Sequence, residues 1–242
     1  MSLEKFIICG DSHGDNISVD ASKAFIDFLK TWKPKHKIHC GDVFDARPLR
    51  RGCSEEEKRE VISKDIAAGF EFLDLYRPNF ITWGNHDSRI FDLANNGFGM
   101  MGEYGKELVL SIDKRIEKYK CKTFEYHKRR GVLQIGKLRV IHGYCCGSQA
   151  ARESARTYGS VIMGHVHQIQ SCSIPGLDNR VGRAIGALCR LDMDYNKSIM
   201  SSLGQAHGFG YGVIDSKTGE YQFWQAESIN GRWFLPTGIR EI

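Results

Sequence analysis

No stretch of the 242 residues approaches the roughly 18 to 20 consecutive apolar side chains that a bilayer-spanning helix requires. The N-terminal run MSLEKFIICG is too short an apolar segment to read as a secretory leader. Eight cysteines are scattered along the chain, none in a CxxC pair, and without a secretory context they supply no disulfide framework and are expected to be reduced. Linkers, internal repeats and low-complexity segments are missing as well. These absences exclude a membrane-embedded protein, a disulfide-stapled module and a repeat array. The expectation is a soluble, cytoplasmic protein with no membrane partner, folded as one domain over residues 1–242, a length that buries a sizeable core.

The chain does contain five short motifs in a fixed order: GDSHG from Gly10, GDVFD from Gly41, GNHD from Gly84, the pair His142-Gly143, and GHVH from Gly164. Together they offer Asp11, His13, Asp42, Asn85, His142, His165 and His167, a set of carboxylate, amide and imidazole donors sufficient for two divalent cations. Residues two apart share a face of an extended strand end, so Asp11 with His13, and His165 with His167, each grip one region of space. Asp42 suits a bridging role because a carboxylate can give one oxygen to each cation. His86 is then expected to face the substrate as a general acid, with Asp87 fixing its tautomer and holding its proton. His36, His39, His127 and His207 lie outside these motifs and are read as structural or surface residues.

Each motif follows a short apolar run: Phe6 to Cys9, Lys37 to Cys40, Phe80 to Trp83, Leu138 to Ile141, and Val161 to Met163. Helical patterns alternate with these strands. One covers Ala21 to Trp32, a second opens at the capping box Ser54-Glu55-Glu56-Glu57 and is expected to run to about Tyr76 before Pro78, and a third covers Ser148 to Tyr158. The alternation predicts an α/β fold with the ligands at the carboxyl ends of strands. Beyond Gln168, short strands at Val181 to Leu188, Gly210 to Ile214 and Tyr221 to Gln225 are expected to form a second sheet.

The five blocks resemble the signature of calcineurin-like metallophosphoesterases, in detail from about Lys5 to Gln168. The resemblance implies two mixed sheets packed face to face as a sandwich flanked by helices. It also implies a first metal held by Asp11, His13, Asp42 and His167, a second held by Asp42, Asn85, His142 and His165, and His86 as catalytic acid. The mixed oxygen and nitrogen donors suit Mn²⁺ first, with Fe, Zn²⁺, Ni²⁺ or Co²⁺ also compatible. Two such metals, about 3.5 to 4 Å apart, would share a water, lower its pKa and turn it into a bridging hydroxide for in-line attack on phosphorus.

Substrate class follows from what surrounds these blocks. Protein serine/threonine phosphatases resemble the chain at GDSHG, but their second block continues Asp-Arg-Gly and their third ends in Glu, whereas here Asp45 precedes Ala46-Arg47-Pro48 and the third block ends in Asp87. Arg47 and Arg89 are the candidate substrate-phosphate contacts. Residues 88–135 form an insert longer than metal binding needs: a glycine-rich stretch from Asn95 to Gly105, a helix from Glu107 to about Lys120, and the basic run Lys128-Arg129-Arg130. With the net charge of +5, the insert is the candidate recognition element for a nucleotide or nucleic acid. The favoured reading is a phosphodiesterase acting on such substrates. The alternatives are a phosphomonoesterase, acting on protein or small molecules, and a non-catalytic scaffold of the same fold.

Overall fold

The computed structural model describes residues 2–192, 200–236 and 238–241. Its first sheet has eight strands and is built outward from β1 (Leu3–Cys9). On one side β2 (His36–His39), β3 (Phe80–Thr82) and β4 (Lys122–Phe124) follow in parallel. The second sheet orders its five strands as β5 (Leu133–Ile135), β6 (Leu138–Ile141), β7 (Val161–Met163), β9 (Arg180–Ile185) and β8 (Ile169–Ile174), with β6, β7 and β9 parallel.

The strands beyond Gln168 do not all join this second sheet. Only β8 and β9 do, while β10 (Gly208–Asp215) pairs antiparallel with β1 and is followed outward by β11 (Tyr221–Ile229), β12 (Arg232–Leu235) and β13 (Gly238–Glu241). The reason lies in β1, whose LEKFIIC run buries both faces and so needs hydrogen-bonding neighbours on both edges. Phe6 and Ile8 pack inward with Ile38, Val140, Ile162 and Ile185, whereas Ile7 and Cys9 pack outward with Phe25 and Phe28 of α1 (Val19–Trp32). Each such fully buried side chain contributes roughly 1.5 to 3 kcal/mol.

The capping box at Ser54 is formed, since Ser54 Oγ accepts from Glu57 N–H and the Glu57 carboxylate accepts from Ser54 N–H. It opens only the single turn α2 (Glu55–Lys58), and the long helix α3 starts separately at Ile62 and ends at Tyr76. Residues 55–60 are all charged and have no apolar face to bury, whereas from Ile62 onward Ile66, Leu73 and Tyr76 tie the helix to the core.

The glycine-rich stretch is also helical. It holds the end of α4 (Asn85–Asn96) and the start of α5 (Gly99–Glu117), eight residues before the expected helix start. Gly105 serves as a contact surface, because a Cβ there would lie 2.6 Å from Ala94 N. Leu108, Ile112 and Ile116 of α5 are buried with Ile66 and Leu73, so the insert is part of the core and also supplies the edge strand β4. The remaining helix, α6 (Ala150–Tyr158), packs behind the second sheet. Among the described residues no helix is long and apolar enough to cross a membrane.

Candidate metal centre

The parallel strands β1, β2, β3, β6 and β7 all end at the same edge of the sandwich, and the turns that follow them meet there. Asp11 N–H donates to Gly41 O at 2.9 Å and His13 N–H to Asp42 O at 3.0 Å, which couples the first two turns directly. Five of the candidate ligands, Asp11, His13, Asp42, His165 and His167, have φ between +52° and +72°. That left-handed backbone is unfavourable for residues with a Cβ, roughly 1 to 2 kcal/mol each, and such strain concentrates at functional sites. The glycine of GNHD is required by close approach, because a Cβ on Gly84 would sit 2.1 Å from Asp42 Oδ1.

The structure brings all seven candidate ligands together. His13 Nε2 lies 3.1 Å from His167 Nε2, 3.7 Å from Asp42 Oδ2 and 4.0 Å from Asp11 Oδ1, and His167 Nε2 lies 3.3 Å from Asp11 Oδ1. On the other side His142 Nε2 lies 3.0 Å from Asn85 Oδ1, 3.2 Å from Asp42 Oδ2 and 3.2 Å from His165 Nδ1. Asp42 therefore stands between the two groups. Asp11, His13, Asp42 and His142 are buried, with at most 1% of their surface exposed.

The donor chemistry fits cations. The Nδ1–H of His142 donates to Cys40 O at 2.8 Å, which leaves Nε2 facing only electron-rich atoms: an amide oxygen, a carboxylate oxygen and a second imidazole nitrogen. Such an arrangement repels itself unless positive charge sits among the atoms. The titration of the site reflects this demand: although burial opposes the charge, Asp42 and Asp11 push the His142 imidazole up to about 9. Burial likewise opposes ionisation of Asp42, but His142, His86 and His13 hold its carboxyl well below the usual range. Two triads, Asp11–His13–Asp42 and Asp42–His142–His165, each have donor atoms within 4.8 Å of one another.

His86 is the second residue of α4, directly after Asn85. Its backbone N–H donates to Asp42 Oδ1 at 2.9 Å, and its Nε2 faces the ligands, 3.9 Å from Asp42 Oδ2. The residue that holds its ring is Asp45 and not Asp87. Nδ1–H of His86 donates to Asp45 Oδ1 at 2.7 Å, while Asp45 Oδ2 accepts from Asn16 Nδ2 at 2.7 Å and from Arg47 at 2.8 Å. Asp87 instead turns into the protein, where its carboxylate accepts from Phe44 N–H and Gly84 N–H, each at 2.9 Å. Burial and the charge on Asp42 push its carboxyl up to about 8. A third helical residue points back under its own N-terminus, which is why adjacency in sequence misassigned it.

Arg47 is likewise committed elsewhere than to a substrate. Its guanidinium is clamped by the carboxylates of Asp15, Asp45 and Glu60 and anchors the loop after β2. Arg89 does lie at the site, with one nitrogen 2.8 Å from Asp45 O and 3.1 Å from His86 Nδ1. Of the histidines outside the motifs, His39 is buried beneath the metal turns, 3.1 Å from Ser12 Oγ, and accepts from Gly41 N–H; burial pushes it down to about 3, so it is neutral.

Several neighbours carried no sequence signal. Cys189 Sγ lies 3.7 Å from the outer ring nitrogen of His167, and Cys146 Sγ 3.3 Å from that of His165. Tyr126, from the insert, packs its ring 5.7 Å from His142 and donates to Gly143 O.

A family model described as calcineurin-like phosphoesterase matches residues 4–168. Among solved structures, Vps29 from Chaetomium thermophilum superposes with a TM-score of 0.50 at 10% identity, over 99% of this chain and 93% of that one. An archaeal phosphodiesterase gives 0.45 at 18% identity, over 91% and 99%, and a phosphatase from Mycoplasma pneumoniae gives 0.49 at 12%, over 94% of each. At these identities the likeness is one of fold. A search of curated proteins finds no match.

Proposed function

From the premise that the chain belongs to the calcineurin-like phosphoesterase family, we propose that it is a dimetal phosphodiesterase acting on nucleotide or nucleic-acid substrates. Asp11, His13, Asp42 and His167 would hold one divalent cation and Asp42, Asn85, His142 and His165 the other, with Mn²⁺ the proposed metal. When bound, the pair supplies charge for the phosphoryl oxygens and lowers the pKa of a coordinated water. The supporting observation is the convergence of six further candidate ligands around Asp42 with the His86 Nε2 facing them.

The chain's own residues do the rest. His86 delivers a proton from Nε2 to the departing oxygen, and Asp45 keeps the other nitrogen protonated and the ring oriented. The polar neighbours of Asp45, namely Asn16, Arg47 and the backbone of Asp45 itself held by Asp65, fix that carboxylate. Arg89 stands beside the same ring as a cation for the substrate phosphate. Residues 1–242 act as one domain in this reading, with the 88–135 segment contributing Tyr126 and the basic run to recognition.

The test is a metal-stripped sample re-supplied with Mn²⁺ and assayed in parallel on bis-p-nitrophenyl phosphate, p-nitrophenyl phosphate, single-stranded DNA and a phosphopeptide. Diester and DNA hydrolysis is the expected result. Hydrolysis confined to monoesters replaces the reading by a phosphomonoesterase, and inactivity on all four substrates supports the scaffold.

A further inference from the structure

A cleft of about 520 Å³ opens beside the first turns of α4, with Asn85 and Arg89 in its floor and the loop after β2 as its far wall. Its lining includes three arginines, Arg50, Arg51 and Arg89, against a single carboxylate, Asp92. Arg50 is paired with Glu57 and Arg89 leans on Asp45 O, whereas Arg51 is exposed and makes no ion pair among the described residues. The wall is held in place from behind: the clamp on Arg47 by Asp15, Asp45 and Glu60, with the Arg50–Glu57 pair, fixes both ends of the short segment that carries Arg51. Leu49 and Leu93 add apolar surface to the same cleft.

The cleft adjoins the site through two of its lining residues, Asn85, whose Oδ1 lies 3.0 Å from His142 Nε2, and Arg89, 3.1 Å from His86 Nδ1. A substrate group flanking the scissile phosphate on this side enters the cleft. Its volume lies within the roughly 300 to 1,000 Å³ typical of small-molecule sites, room for one nucleoside with its phosphate. A substrate without a second anionic group would leave the Arg51 guanidinium unanswered.

We propose that the substrate carries a further phosphate next to the scissile one, received by Arg51 in this cleft, so that it is a nucleic-acid strand or phosphorylated nucleotide. This rests on the phosphodiesterase reading above. The nucleoside makes apolar contact with Leu49 and Leu93 while its distal phosphate meets the Arg51 guanidinium.

Three diesters test this on the Mn²⁺-loaded protein, with scission of the internal linkage followed by chromatography: the dinucleotide TpT and its forms phosphorylated at the 5′ end (pTpT) and at the 3′ end (TpTp). One phosphorylated form, the one whose extra phosphate lies on the cleft side, is expected to have a kcat/KM about tenfold above TpT, the value of one charge-assisted contact. In Arg51→Ala that ratio falls to about one, and Arg51→Lys restores part of it. Separately, calorimetric titration of the metal-free protein with thymidine 3′,5′-bisphosphate should show about tenfold weaker binding in Arg51→Ala. Equal kcat/KM for all three diesters, or an advantage that persists in Arg51→Ala, overturns the inference while leaving the phosphodiesterase reading intact. Failure to hydrolyse bis-p-nitrophenyl phosphate removes that reading, and the inference with it.

Discussion

Asp45 Oδ1 lies 2.7 Å from the Nδ1 of His86, across 41 residues of sequence, and the carboxylate next to His86 in the chain serves another purpose. This pairing separates two substitutions that look alike in sequence. Asp45→Asn should lower kcat about 10- to 100-fold, because the ring loses the acceptor that fixes its tautomer. Asp87→Asn should act on stability, by about 1 to 3 kcal/mol, since it unsettles the acceptors of two buried backbone N–H groups. Turnover and thermal unfolding of both variants check the assignment; a larger kcat loss in Asp87→Asn than in Asp45→Asn would reverse it.

His86→Asn should retain both metals while turnover falls about 10²- to 10⁴-fold. The loss should shrink for p-nitrophenyl esters, whose leaving group hardly needs a proton. Equal losses for good and poor leaving groups would remove the acid role from His86.

The strand ends and the grouping of the seven candidate ligands were legible in the sequence because short apolar runs and motif order are local features. What was not legible is long-range. The antiparallel placement of β10 on β1 depends on which edge of β1 is left open, and the Asp45–His86 bond depends on two loops meeting. The start of α5 was placed eight residues late, at Glu107, because glycine marks both a turn and a close helix contact, and the facing Ala94 decides which.

Asp42→Asn should remove metal and activity together. Asp42 lies 3.7 Å from His13 Nε2 and 3.2 Å from His142 Nε2, so its charge serves both halves of the centre. Elemental analysis after dialysis should find substoichiometric metal, and two retained ions with normal turnover would contradict the bridging position.

Arg47→Ala should behave as a loop mutation. Three carboxylates converge on this guanidinium, so its removal leaves them facing one another and loosens the segment after β2. A loss of about 1 to 3 kcal/mol, lowering the melting temperature by several degrees, is expected. A raised KM at unchanged melting temperature would return Arg47 to the substrate.

The basic run of the insert makes the last prediction. Arg130 pairs with Glu125, and the Lys128 carbonyl accepts from Tyr158 OH, so the loop is held in one conformation beside Tyr126 and hence beside His142. If this loop carries strand phosphates past the metal centre, changing Lys128, Arg129 and Arg130 to Ala together should raise KM for single-stranded DNA. The logarithmic salt dependence should also flatten by about 0.7 per lost phosphate contact. Arg130 is already neutralised by Glu125, so the slope should change by about two contacts and not three. Measuring KM across a salt series checks both statements; an unchanged slope would make the run a solvated surface and leave recognition to the arginine cleft beside α4.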